Sequence, residues 1–375
     1  MEKMMSLISC LFVLASMFAS CGDNDSGPNN GPAGNLTLSE QTINIDSDGG
    51  SASVTIDAPA EWDATSDSFW VKIAKSGTLD RKGRIDLKIE PNPSRTPRSA
   101  TVTVLSGAAR AYLKIGQEGV SPEPADPSVD VPEGYTLVWH DEFDGDRLNA
   151  DDWTHEVKPS GWVNNELQNY VNSPVDGKPV TEVSDGSLKI NCFKAANGKI
   201  YSGRIYANVS KGWKYGVFEA RIKLPKGRGT WPAFWMMPAN NNFSTTPWPV
   251  CGEIDIMEEV GYHPDYTSSS IHCEAYNHTI GTQKTAERHT AGAEGDFHIY
   301  RLEWTEDYIR TYVDGDLLLS FANDKAGKVA TWPFNKPFYI ILNLAWGGTW
   351  GGNQGTDESK LPATLEVDYV RVFQK

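Results

Sequence analysis

Apolar and polar residues alternate with a period of two along most of the chain. Between residues 36 and 119 the alternation appears at Ala52, Val54 and Ile56, at Ile85, Leu87 and Ile89, at Ala100, Val102 and Val104, and at Leu113 and Ile115. Gly49-Gly50, Ser76-Gly77 and Pro91-Asn92-Pro93 interrupt it. Successive side chains of a strand point to opposite faces, so this period predicts strands with one buried face. Short strands at such spacing predict a small immunoglobulin-like β-sandwich. Residues 120–134 then read as a stiff linker, with four prolines between Ser121 and Gly134. From Tyr135 to Lys375 the period of two returns. Phe218, Ala220, Ile222 and Leu224 alternate with polar neighbours, as do Tyr300, Leu302 and Trp304. Asp314-Gly315 is a hairpin signal. No long stretch holds a helical period, so residues 135–375 predict one large all-β domain of two packed sheets.

The first residues follow another pattern. Met1-Glu2-Lys3 precedes an uncharged apolar run from Leu7 to Phe18, too short to span a bilayer comfortably. The run ends Phe18-Ala19-Ser20-Cys21-Gly22. This resembles a bacterial lipoprotein signal, which implies removal of residues 1–20 and lipidation of Cys21; the alternative is an ordinary secretory signal. Residues 21–35 are rich in Asp, Asn, Gly and Pro and read as a flexible tether. Its acidic start resembles the export signal of surface-exposed lipoproteins, so the expected location is the Gram-negative outer membrane, facing outward. The lipid is then the only membrane contact expected.

Charge narrows the partners. Lys and Arg number 34 against 49 Asp and Glu, a formal net charge of −15. Nucleic acid binding needs clustered cations, so it is not expected. Thirteen tryptophans, eleven of them after residue 134, suit either a core or flat platforms for ligands. Cys192, Cys251 and Cys273 lie at no metal-site spacing and read as buried small hydrophobes, with a Cys251–Cys273 bridge as the alternative.

The chemistry concentrates in Gly252-Glu253-Ile254-Asp255-Ile256-Met257-Glu258-Glu259. On a strand, Glu253 and Asp255 share one face, and simple alternation would then send Glu258 into the core. A lone buried Glu is costly. A β-bulge near Met257 would flip the parity and align Glu253, Asp255 and Glu258. With a rise of about 3.3 Å per residue, the two Glu α-carbons would lie roughly 13 Å apart. Side chains leaning together could then bring the carboxyls to about 5–5.5 Å, the separation of a retaining glycosidase. An isolated motif of this kind is more often a solvated strand face. Here Trp231-Pro232-Ala233-Phe234-Trp235 lies shortly upstream and would place indoles beside the carboxylates.

Two resemblances extend this reading. Asp48-Gly49-Gly50-Ser51, Glu61-Trp62, Phe69-Trp70, Arg95 to Val104 and Ile115-Gly116-Gln117 resemble the BACON domain. For that unit a spacer role is expected over carbohydrate binding. Val138-Trp139-His140-Asp141-Glu142-Phe143, Asn164 to Tyr170, Tyr215 to Arg221, Trp231 to Trp235, the Glu253 motif and Asp368 to Val372 together resemble glycoside hydrolase family 16. That family implies a β-jelly-roll sandwich. It also implies Glu253 as nucleophile, Asp255 as assisting carboxylate and Glu258 as acid/base. Its binding positions fall on Asn165, Glu166, Arg204, Trp231, Trp235, Trp248 and His272, with Trp346 as an added stacking surface. The family often holds one structural calcium, which would map to the backbone of Glu142 and Gly186 and the carboxylate of Asp368; no catalytic cofactor is implied.

The expectation is therefore a monomeric, endo-acting, retaining β-glycosidase. Its leading substrate is laminarin-type β-1,3-glucan, with mixed-linkage β-1,3/1,4-glucan beside it. The alternative within the family is an endo-β-galactosidase of mucin O-glycans, signalled by Trp346 and the Tyr262–Tyr266 insert. The alternative of another class is a non-catalytic glycan-binding lipoprotein.

Overall fold

A computed structural model describes residues 35–76, 82–92, 94, 97–119, 129–207 and 211–375. The lipoprotein signal, Cys21 and most of the tether and linker lie outside the described residues. Among those described, no helix is long and apolar enough to cross a membrane. The helical turns among the described residues are two short 3-10 segments, His278–Ile280 and Glu358–Lys360.

The N-terminal body is a sandwich of two four-stranded sheets. One runs Thr37–Leu38, Gly50–Asp57, Lys82–Ile89, Val71–Ser76, in that order. The other runs Thr42–Ile45, Ala109–Gln117, Arg98–Ser106, Asp63–Ser66. The alternating residues form its core, with Val54, Ile85, Val102, Val104, Leu113 and Ile115 fully buried. Trp70 belongs to this core, whereas its neighbour Phe69 is 80% exposed. Trp62 lies over Gly83, where a Cβ would come within 2.3 Å of the ring, so only glycine fits there.

The C-terminal body is a two-sheet jelly roll. Its ten-stranded sheet centres on Ala363–Gln374, paired with Ser187–Lys194, Gly216–Lys223 and Thr136–Asp141. Its seven-stranded sheet runs Trp153–His155, Arg204–Ala207, Phe338–Trp346, Thr230–Pro238, Glu253–Glu258, Tyr266–His272, Lys284–His289. Phe218, Ala220 and Ile222 of the first sheet share one core with Phe234, Met236, Ile254, Leu342, Leu344 and Trp346 of the second. Each buried indole or phenyl removes about 150–250 Å² from water, so this aromatic layer dominates the packing. Cys192, Cys251 and Cys273 are buried and free, so the Cys251–Cys273 bridge is absent.

The outward face of the seven-stranded sheet carries the candidate chemistry. Directly opposed residues of neighbouring antiparallel strands share a face. The registers Trp235↔Asp255, Asp255↔Ser270, Glu253↔His272 and Arg204↔Asn343 therefore place these side chains on one surface.

Candidate active site

The Glu253–Glu258 strand is bulged. Asp255 opposes Trp235 and Met257 opposes Phe234, which leaves Ile256 as the extra residue on that side. On the other side the pairing steps from Asp255↔Ser270 to Glu258↔Ser268, so Ile256 and Met257 together face the single residue Ser269. The bulge thus falls where the parity argument placed it. Ile254, Ile256 and Met257 all reach the core, and Glu258 joins Glu253 and Asp255 on the outward face.

The bulge does not keep every glutamate out of the core, because it turns Glu259 inward. Glu259 is fully buried. Its Oε1 accepts the Asp265 N–H at 2.8 Å, and its Oε2 has no partner. Burial and the neighbouring Glu294 push its carboxyl up to about 9, so it sits in the core as a neutral acid at neutral pH.

The carboxyls on the outward face are also held toward their neutral forms. Burial drives Glu253 well above the ordinary range, and Asp255 and Glu258 add to this; His272 and Arg204 oppose it. Burial raises Asp255 as well. Glu258 is pushed up to about 8, by burial first and by Asp255 next, against the hydrogen bond from Trp231 and the nearby His272. A carboxyl near 8 keeps its proton at neutral pH, which is the state a general acid needs.

Four neighbours complete the centre. Trp231 Nε1 donates to Glu258 Oε1 at 2.9 Å. His272 Nε2 lies 3.2 Å from Asp255 Oδ2 and 3.9 Å from Glu253 Oε1. Trp248 packs against His272 and His278, with ring centroids 5.9 and 4.9 Å away. Trp235 Nε1 donates to Asn343 Oδ1 at 2.7 Å, and the Arg204 guanidinium lies 4.7 Å over its ring. Arg204 is itself ion-paired to Glu156 at 2.9 Å, off-line for a hydrogen bond.

Glu166 sits 6% exposed in a polar knot. Asn164, Gln168 and Tyr170 donate to its two oxygens, and Asn343 Nδ2 donates to the Tyr170 hydroxyl. That network links the Glu166 loop to the Trp235–Arg204 pair. Asn165, by contrast, is an exposed turn residue with φ 53°, and the neighbouring Trp162 lies 5.2 Å from the Arg204 guanidinium.

Trp346 is a correction. It is completely buried, with its ring 2.9 Å from where a Gly229 Cβ would stand, so it offers no stacking surface. Along Phe338–Trp346, Leu342, Leu344 and Trp346 face the core, while Asn343 faces outward. The outward residue missed from the sequence is Asn343, three positions earlier and of opposite parity.

The residues expected to hold calcium lie at neighbouring strands of the ten-stranded sheet. The registers Asp141↔Val370 and Leu188↔Val367 bring Glu142, Gly186 and Asp368 near one another. Asp368 Oδ2 is held by Arg221 at 2.7 Å, and the Glu142 carboxylate is held by Arg371. A cation there is left with backbone carbonyls and the second oxygen of Asp368. Among the described residues, the cluster of His, Cys, Asp or Glu side chains whose ligand atoms come close enough to hold a metal is Glu253, Asp255 and His272.

Two glutamates on one face of a strand, flanked by indoles, are what double displacement at an anomeric carbon requires, and this domain is that of a glycoside hydrolase. The model for Glycosyl hydrolases family 16 matches residues 167–371, and the chain belongs to that family. Residues 35–119 match the Viral BACON domain model. A beta-glucanase of Rhodothermus marinus is 42% identical over 275 residues, covering 70% of this chain and 93% of that protein. The crystal structure of the laminarinase from Rhodothermus marinus superposes with TM-score 0.61 at 41% identity, over 64% of this chain and 97% of that one. A non-specific endo-β-1,3(4)-glucanase of family 16, crystallised with an oligosaccharide, gives TM-score 0.61 at 42% identity, over 66% and 97%.

Proposed function

We propose that the protein is an endo-acting retaining β-1,3-glucanase of laminarin-type glucan, which also accepts mixed-linkage β-1,3/1,4-glucan. The observation that carries this is Glu253, Asp255 and Glu258 aligned by the bulge, with Trp231 on the acid and His272 on the other two. The named relatives supply the substrate class.

The chemistry needs the two glutamates in opposite protonation states, the proton on Glu258 and the charge on Glu253. Glu258, protonated, gives its proton to the glycosidic oxygen as the aglycone leaves. Glu253, ionised, attacks the anomeric carbon and forms the glycosyl-enzyme. Asp255 and His272 lie beside Glu253 and spread its charge before attack. Glu258, now a carboxylate, takes a proton from water, which releases the sugar with its configuration retained. The flat indoles of Trp231, Trp235 and Trp248 suit sugar rings, and Arg204 and Asn343 fix one of these indoles in place.

The galactosidase alternative loses a signal, since Trp346 is buried. Incubation with laminarin, barley mixed-linkage glucan and gastric mucin, with products sized over time, decides between them. Early oligosaccharides from laminarin are expected; release from mucin alone would overturn the glucanase reading. The same digest after EGTA treatment tests a structural calcium at Glu142, Gly186 and Asp368. Chelation should lower the melting temperature and leave the product pattern unchanged; an unchanged melting temperature would remove the calcium from the proposal.

A further inference from the structure

We propose that Glu253, Asp255 and His272 form an inhibitory site for a borderline divalent cation, with Zn²⁺ as its representative, and that metal and glycan occupy it in competition. The ligand atoms of the three side chains lie within 4.8 Å of one another. Two ligands each about 2.0–2.1 Å from a tetrahedral zinc stand roughly 3.3 Å apart. His272 Nε2 to Asp255 Oδ2 is 3.2 Å and to Glu253 Oε1 3.9 Å, so one cation can reach all three with small side-chain motions.

Burial strengthens the case. Asp255 is 3% and His272 6% exposed, and Asp255 Oδ2 has no hydrogen-bond partner. One imidazole with two carboxylates is a donor set for zinc-like ions, not for calcium, which prefers all-oxygen shells. The described cysteines, Cys192, Cys251 and Cys273, are buried and none belongs to this cluster. Cys192 is pushed up to about 12 and Cys251 to about 11 by burial, and both are buried.

Two features make the site inhibitory and reversible. His272 Nδ1 has no partner, so no acceptor orients the ring for tight metal binding, as resident zinc sites require. Coordination also uses the lone pair with which Glu253 attacks, so the metal-bound protein cannot form the glycosyl-enzyme. The inhibition does not depend on which glucan is cut.

Calorimetric titration of the untagged, EDTA-stripped protein with zinc chloride tests this without substrate. One zinc per chain is expected, with affinity falling at least tenfold in both His272→Ala and Glu253→Gln. Circular dichroism should show the fold retained in at least one variant. Zinc should raise KM for the glycan cut by the metal-free enzyme and leave kcat unchanged. No heat up to millimolar zinc, binding unchanged in both variants, or a fall in kcat at constant KM would each overturn the proposal. Metal-free activity on laminarin is measured separately, so failure of the glucanase reading stays distinguishable.

Discussion

The two sheets of the catalytic domain treat the same side chains in opposite ways. On the ten-stranded sheet, carboxylates meet arginines. Glu219, 4% exposed, accepts Arg301 Nε at 2.6 Å and the Tyr369 hydroxyl at 2.9 Å. Glu142 takes Arg371 in a two-pronged pair at 2.9 and 2.7 Å. Burial pushes Glu142 up, but His140 and Arg371 outweigh it and leave the carboxyl below its usual value. On the seven-stranded sheet, the ion-pair partner of Glu253 and Asp255 is one histidine, and Glu258 has an indole N–H. A paired carboxylate contributes to stability. A buried carboxyl without a full cation costs stability and retains a proton that chemistry can use.

The largest expected effect breaks this contrast at the nucleophile. Glu253→Gln should reduce turnover at least about 10³-fold, since 1.36 kcal/mol of barrier is a factor of ten and an essential nucleophile is lost. The same change removes one of three crowded carboxyls whose burial costs stability, so the melting temperature should rise. A domain of this size gains about 2–4 °C per kcal/mol. Activity assay and calorimetry read the two effects. A fall in melting temperature would mean that the catalytic face is not a store of unfavourable charge.

The matching change on the other sheet should do the reverse. Arg301→Leu leaves Glu219 buried with the Tyr369 hydroxyl in place of its cation. Stranding a buried charge costs about 3 kcal/mol, so the melting temperature should fall while kcat/KM stays within about twofold. Loss of activity beyond the loss of folded protein would show that the two sheets are coupled.

The sequence revealed the catalytic strand because its residues leave one consistent parity. Acidic and apolar residues alternate up to Met257, and only a bulge carries Glu258 to the same face. The Phe338–Trp346 strand was illegible for the opposite reason. It is buried on both faces, so Ile341 and Leu342 look alike in sequence while packing in different clusters. Asn343, the sole amide in that apolar run, was the available signal for the outward parity, and it sends Trp346 inward. Glu259 was unreadable because its neutrality depends on burial first and then on Glu294 and Asp265, all supplied only by the fold. The Glu166 knot likewise joins residues 166–170 to Asn343, a contact that no local pattern encodes.

The smallest effect is the sharpest test of which glutamate is the acid. The Trp231 N–H to Glu258 Oε1 bond favours the charged carboxylate and lowers the acid's proton affinity, against burial, which raises it to about 8. Trp231→Phe removes the donor and keeps an aromatic ring beside Trp350, whose centroid is 5.4 Å away. The acid must be protonated when the bond breaks, so activity is retained below its pKa and lost as pH rises through it. The variant's acid is weaker, so the alkaline limb of the kcat/KM profile should move to higher pH. A shift of about one unit corresponds to 1.36 kcal/mol, within reach of one hydrogen bond to a charged group. The acidic limb, set by groups that Trp231 does not touch, should stay in place. An alkaline limb that moves down, or an acidic limb that moves instead, would assign the proton to a residue other than Glu258, because Trp231 donates to Glu258 and not to Glu253 or Asp255.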